Sequence, residues 1–391
     1  MKSIKLKENI YWVGGIDWNL RNFHGYMTQR GSTYNAYLII DKKITLIDTV
    51  KHYMYEEMLS RISDVIDPKK IDYVISNHVE MDHSGSLPRL IELVPDATVI
   101  TSVPGEKGLK AHYGKSWNLK TVKTGDKLNI GTRELSFVME QMVHWPDNMA
   151  TYSEKDTLIF SNDAFGQHIA SSERLDTEYP FDILIEEAKK YYANIVLPYG
   201  SQVQNVLETL KPFKIDMIAP SHGIIWTKHI PEILNEYVKW AGNKTEEKCT
   251  IVYDTMWEST EKIARAIKSA FENKNINCNI YNLKLTHISD IMTDIITSKY
   301  ICLGSPTLNN NILPTVSSFL TYFKGLAPRN RTALAFGSFG WGGQSIGIIE
   351  NVFKEMGLNL LNGVKIQYIP NEQKLKQITE EVQKQIGGKH G

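Results

Sequence analysis

Two rhythms of apolar and polar positions divide the chain. Up to about residue 240, short apolar runs dominate: AYLII, ITLIDTV, YVISN, ATVIT, ELSFVME, TLIFSN and DMIAPS. Runs of this length bounded by turn formers predict strands, interrupted by a few helical stretches such as 52–64. Many strands with occasional helices predict two packed sheets with helices outside. Beyond residue 248 the rhythm becomes strict alternation. TIVYDT, CNIYNL, KYICLGSPT, TALAFGSFG and VKIQYIP read as five strands, each followed by a helical pattern. That is the signature of a doubly wound parallel sheet, which binds ligands at the carboxyl ends of its strands. The polar stretch AGNKTEEK (241–248) separates the two rhythms and predicts domains 1–247 and 248–391.

Composition adds exclusions. At 391 residues the chain exceeds one ordinary core. Its 44 basic residues balance 44 acidic ones, so no global field points to nucleic acid or an anionic membrane. The sequence has no apolar run long enough for a membrane span and no signal-peptide pattern, which predicts a cytoplasmic protein. Cys249, Cys278 and Cys302 lie far apart without a CxxC pair, which excludes a rubredoxin-type site and suits core packing in a reducing compartment.

Candidate chemistry concentrates at strand ends. ISNHVEMDHSGSLP packs His78, Glu80, Asp82 and His83 just after an apolar run. Alternation along an extended turn would let His78, Glu80 and Asp82 converge, with His83 reaching in from the next position. One ion needs fewer ligands than this, so partners are expected at other strand ends. His144 in MVHWPDN, Asp163 in FSNDAFG and His222 in APSHG each follow a strand and precede a turn former. Any single histidine is better read as ordinary, which is the reading for His52, His112, His229, His287 and His390; the joint pattern is not, and predicts a dinuclear site.

In the second half, DTMWEST follows a strand and opens a helix, so Thr255, Ser259, Thr260 and the first helical amides form a neutral anion cradle. A phosphate monoester would sit there without a lysine, and no Walker loop is present. GSPTLNNN and GSFGWGG end parallel strands on the same side. Gly340, Gly342 and Gly343 would allow close approach of a flat ring, with Trp257 and Trp341 stacking on or shielding it.

The seven residues His78, Glu80, Asp82, His83, His144, Asp163 and His222 resemble the metallo-β-lactamase superfamily, an αββα sandwich. The second half resembles flavodoxin, and together the chain resembles the flavodiiron proteins (A-type flavoproteins). The resemblance implies one iron on His78, Glu80 and His144, a second on Asp82, His83 and His222, and Asp163 bridging. It implies FMN held by Thr255, Met256, Trp257, Ser259 and Thr260 of the first loop. Pro306, Thr307, Leu308, Asn309 and Asn310 would serve from the second. Ser338, Phe339, Gly340, Trp341, Gly342 and Gly343 would serve from the third. Histidine is usual at the Glu80 position of zinc hydrolases; a carboxylate is harder and favours ions cycling between ferrous and ferric states. His24, Tyr26, His168 and Tyr192 are candidate proton donors beside the irons.

The implied activity is reduction of dioxygen to water, of nitric oxide to nitrous oxide, or both. Electrons would come from a separate donor, a rubredoxin or a reduced deazaflavin, within a head-to-tail homodimer or dimer of dimers. Two other readings are a binuclear zinc hydrolase with a flavodoxin-like appendage and an electron-carrying or sensing module with a vestigial metal site.

Overall fold

The computed structural model describes residues 1–386, so His390 and the last residues of the second expected domain lie outside the described residues. The chain parts into two compact units at Ala241–Gly242. The short segments 25–27 and 192–198 group with the second unit. The strand Glu246–Tyr253 starts inside the polar AGNKTEEK stretch, because Glu246 pairs with Ser298 of the neighbouring strand. Among the described residues no helix is long and apolar enough to cross a membrane.

In the first unit, a seven-stranded sheet runs in the order Ile4–Lys7, Ile10–Trp12, Tyr37–Ile39, Ile44–Ile47, Ile71–Ile75, Thr98–Ser102 and Leu119–Val122. A five-stranded sheet runs Lys127–Asn129, Glu134–Met139, Met149–Ser153, Leu158–Asn162 and Met217–Pro220. Ile39, Ile47, Ile75 and Ile100 of the first sheet meet Leu135, Phe137, Leu158 and Phe160 of the second in one core. The other face of the first sheet, with Leu38, Leu46, Val74 and Val99, is covered by helices carrying Met58, Ile62, Leu90 and Leu109. The strands therefore bury both faces, which is why they read as continuous apolar runs rather than as alternation. Met149–Ser153 is buried at every position, and its mixed MATYS composition hid it from the pattern.

The second unit is a parallel sheet in the order Asn277–Asn282, Glu246–Tyr253, Ser298–Gly304, Thr332–Phe339. Its fifth place is shared by two pieces, Asn359–Leu360 and Val364–Gln367, both paired to Thr332–Phe339. The single edge strand expected there is thus broken by residues 361–363. Helix Ser259–Glu272 lays Ile263, Ile267, Ala270 and Phe271 on this sheet, against Cys249, Ile251 and Leu334.

Strand ends in this unit approach backbone to backbone. A Cβ at Gly337 would lie 2.0 Å from the Ser305 carbonyl oxygen. Gly337→Ala is therefore expected to destabilise this unit by about 1–3 kcal/mol through forced separation of two cavity-forming loops. Its thermal or urea unfolding midpoint should fall; an unchanged midpoint would show that these loops separate freely.

Candidate metal centre and flavin cavity

The seven expected ligands come together between the ends of the two sheets of the first unit. The loop after Ile71–Ile75 carries His78, and Glu80 starts the short helix Met81–Ser84. Asp82 and His83 lie inside that helical turn, not on an extended one as the spacing suggested. The amides of His83 and Ser84 donate to the Glu80 carbonyl, and this turn rotates Asp82 and His83 away from the side that Glu80 faces. Asn162, at φ +50°, turns the chain and presents Asp163; asparagine tolerates that conformation.

Two sets result. His78, Glu80, His144 and Asp163 place ligand atoms within 4.8 Å of one another, and so do Asp82, His83 and His222. Asp163 faces both. Its Oδ2 lies 3.1 Å from His144 Nε2 and 3.6 Å from His78 Nε2. Its Oδ1 lies 3.0 Å from His83 Nε2 and 3.5 Å from His222 Nε2. Glu80 Oε2 stands 3.3 Å from both His78 and His144. Asp82 Oδ2 is 3.2 Å from His222 and Oδ1 is 3.3 Å from His83.

The donor set fits two metal ions. Ligand atoms at about 2.1 Å from one ion are about 3.0–3.4 Å from each other, close to the separations seen. Asp82 Oδ1 and Oδ2, His83 Nε2 and Asp163 Oδ2 are buried yet make no hydrogen bond. Burial pushes the carboxyls of Glu80, Asp82 and Asp163 up, but the surrounding imidazoles hold each below the usual carboxylate range. Burial would likewise lower His83 and His144, but the facing carboxylates raise each to about 9. The three carboxylates thus call for positive charge at two points, which divalent cations meet directly.

Residues that the sequence did not single out orient these ligands. Asp147 Oδ2 accepts from His78 Nδ1 (2.9 Å) and from the Val79 amide (2.8 Å). The Thr33 carbonyl accepts from His222 Nδ1 at 2.8 Å. Both bonds leave Nε2 free to ligate. Buried Asp48 accepts from the Asn77 amide and side chain and from Asn162 Nδ2, joining two of the ligand loops. Ser221 Oγ donates to Asp163 Oδ1 at 3.0 Å. Asp147 sits in the MVHWPDN stretch, three residues beyond His144, and that spacing was its only signal.

The expected proton donors fall in different places. His24 Nε2 lies 2.5 Å from Glu80 Oε1, the oxygen turned away from the two imidazoles. His168 is buried, its Nδ1 2.6 Å from Ser32 Oγ and its ring 4.6 Å from that of His222. Tyr192 and Tyr26 are buried in segments that group with the second unit. Tyr191, which was not singled out, has its ring 6.0 Å from His222 and 5.3 Å from His168.

In the second unit, the three expected loops line a cavity of about 670 Å³, the size of a cofactor site. Thr255, Met256, Trp257 and Ser259, residues 306–310 and residues 338–342 line it, joined by Tyr368 and Ile369. Thr260 and Gly343 are not on the wall. Thr260 Oγ1 is buried 3.2 Å from Ser338 Oγ. Gly343 starts helix Gln344–Glu355 at φ +97°, and a Cβ there would strike Lys365, so backbone conformation rather than ring approach demands glycine. Trp257 and Trp341 are 85% and 92% exposed, free to cover a bound ring.

The cavity also fits a flavin phosphate. Helix Ser259–Glu272 begins without a side-chain cap, so its first amides remain available. Thr255 Oγ1 is buried without a hydrogen-bond partner.

The Asp147 contact yields a direct expectation. Asp147→Ala should lower metal affinity about 10–100-fold by freeing the His78 ring, as read by chelator competition. Unaltered affinity would mean that packing alone aligns His78.

A family model described as ODP family beta lactamase matches residues 33–223, and one described as Flavodoxin matches residues 251–381. A nitric oxide reductase of Moorella thermoacetica is 41% identical over 97% of both chains. The solved rubredoxin oxygen:oxidoreductase of Desulfovibrio gigas is 40% identical, with a TM-score of 0.96 over 98% of both chains. The flavodiiron protein of Giardia intestinalis is 32% identical at the same TM-score, over 98% of this chain and 96% of that one. With its two sets of clustered ligands and its flavodoxin unit, the chain belongs to the flavodiiron protein family.

Proposed function

We propose that the chain reduces dioxygen to water, nitric oxide to nitrous oxide, or both, at a diiron centre fed by FMN. One observation carries this reading: Asp163 turns one oxygen to each ligand set, with the carboxylate of Glu80 where a zinc site would favour imidazole. When bound, the irons supply open coordination and stored electrons, and FMN supplies electrons one or two at a time. Dioxygen to two waters takes four electrons and four protons; two nitric oxides to nitrous oxide and water take two of each.

The protein's own groups do the rest. His78, Glu80 and His144 are assigned to one iron, Asp82, His83 and His222 to the other, and Asp163 to both. Asp147 and the Thr33 carbonyl hold the His78 and His222 rings in the ligating tautomer. His24, about half exposed and bonded to Glu80, is assigned to proton delivery from solvent. His168, its ring 4.6 Å from that of His222, is assigned as a hydrogen-bond or proton donor beside the irons. The loops at 255–259, 306–310 and 338–342 are assigned to FMN, with Thr260 and Gly343 holding their shape from behind the wall.

Two relatives bear the names nitric oxide reductase and rubredoxin oxygen:oxidoreductase, which supports both substrates and favours rubredoxin as donor over a reduced deazaflavin. A head-to-tail homodimer or dimer of dimers in the cytoplasm completes the reading; three buried thiols without a disulfide suit that compartment.

Protein purified without air should carry about two irons, matching its two ligand sets, and one FMN per chain. It should consume dioxygen or nitric oxide when reduced rubredoxin is supplied. Two zincs in protein made with ample iron would instead support hydrolysis. Glu80→His should shift occupancy toward zinc and cut gas turnover about tenfold or more. Undiminished turnover would sink the argument from ligand hardness.

A further inference from the structure

We propose that Lys284 and Asp254 form a charge pair beneath the Thr255–Thr260 loop that makes the cavity selective for a phosphorylated flavin; this rests on the flavin reading above. Asp254 directly follows strand Glu246–Tyr253, and its side chain is only 3% exposed. Its Oδ1 accepts from the Thr255 amide at 2.6 Å, and its Oδ2 accepts from Thr315 Oγ1 at 2.5 Å. Lys284 Nζ stands 3.1 Å from Asp254 Oδ1 and donates to the Thr255 carbonyl at 2.6 Å. The first residue of the cradle is therefore clamped at both its amide and its carbonyl by one ion pair.

The charges explain why the pair is needed. A phosphate monoester carries about −1.5 to −2 charges at neutral pH. The cradle offers it neutral donors: the uncapped amides of helix Ser259–Glu272 and the unpartnered Thr255 hydroxyl. One residue away sits the buried Asp254 carboxylate, whose repulsion water reaches only from the side of Lys284, a side chain 53% exposed. Lys284 cancels it from the loop that follows strand Asn277–Asn282. The Asp254 charge behind the cradle is balanced by a lysine thirty positions away in the chain, while Glu258 of the same loop is exposed and keeps its charge at the surface. Lys284 is a positioning and charge-balancing residue; its ammonium is spent on Asp254 and Thr255 and makes no direct claim on the phosphate.

The test uses full-length protein stripped of flavin and titrated with FMN and with riboflavin. Lys284→Met keeps the aliphatic stem and removes the charge. It should weaken FMN binding about tenfold or more at low ionic strength, leave riboflavin binding within about twofold, and lose part of that contrast in high salt. Adding Asp254→Asn to Lys284→Met restores neutrality and should recover FMN affinity to within about threefold of the parent. Release of FMN on dilution of the as-purified holoprotein, followed by fluorescence, should be faster in Lys284→Met. Equal loss for both flavins, or no recovery in the double variant, would reduce Lys284 to a loop prop and overturn the proposal. Parental FMN affinity in Lys284→Met would overturn it outright. A parent that binds neither flavin would overturn the flavin reading itself, a distinct result.

Discussion

Three carboxylates and four imidazoles, all buried, meet between two sheets, and the first unit is arranged around that fact. Burying Glu80, Asp82 and Asp163 together is unfavourable unless positive charge stands between them. The loops that carry them cannot relax apart, because the groups beneath hold them. Asp48 grips Asn77 and Asn162, Thr151 Oγ1 donates to Asn77, and the Thr49 amide donates to the His83 carbonyl. The protein thus imposes a polar concentration that only cations can satisfy. Such an arrangement is what allows a metal to bind with open coordination rather than being enclosed by whatever ligands come nearest.

The second unit solves the opposite problem. Its cavity must hold an anionic cofactor, so it offers donors and removes negative charge. Unused amides at a helix start, an unpartnered threonine hydroxyl and a neutralised aspartate replace the dense acceptors of the first unit. The rim is apolar and exposed, with Trp257 and Trp341 reaching into solvent. One chain therefore carries two sites of opposite electrostatic design, as a protein that delivers electrons from a flavin to metal ions requires.

Much of this was legible in the sequence where a residue's meaning is local. Val74 and Ile75 and then Val99 and Ile100 lie in short apolar runs because both sheet faces are covered, and the runs mark the strands. Helix Ser259–Glu272 was legible because Ile263, Ile267, Ala270 and Phe271 recur on one face. Local reading failed where tertiary contact overrides propensity. Met149–Ser153 mixes polar and apolar residues yet is wholly buried, and Met81–Ser84 closes a helical turn where alternation suggested an extended one. The break between Asn359–Leu360 and Val364–Gln367 left no mark in the apolar pattern.

The sequence by itself determined the ligand types and their placement after strands, because hardness, charge and turn chemistry are properties of the residues and their near neighbours. It likewise determined the three loops that line the cavity of the second unit. Only the tertiary structure decided which oxygen of Asp163 meets which imidazoles, that Asp147 orients His78, and that Lys284 offsets Asp254. These are distances between residues far apart in the chain, and a chain states its residues one at a time. Which distant groups become neighbours is settled by how sheets and helices pack, a collective outcome that no single stretch encodes.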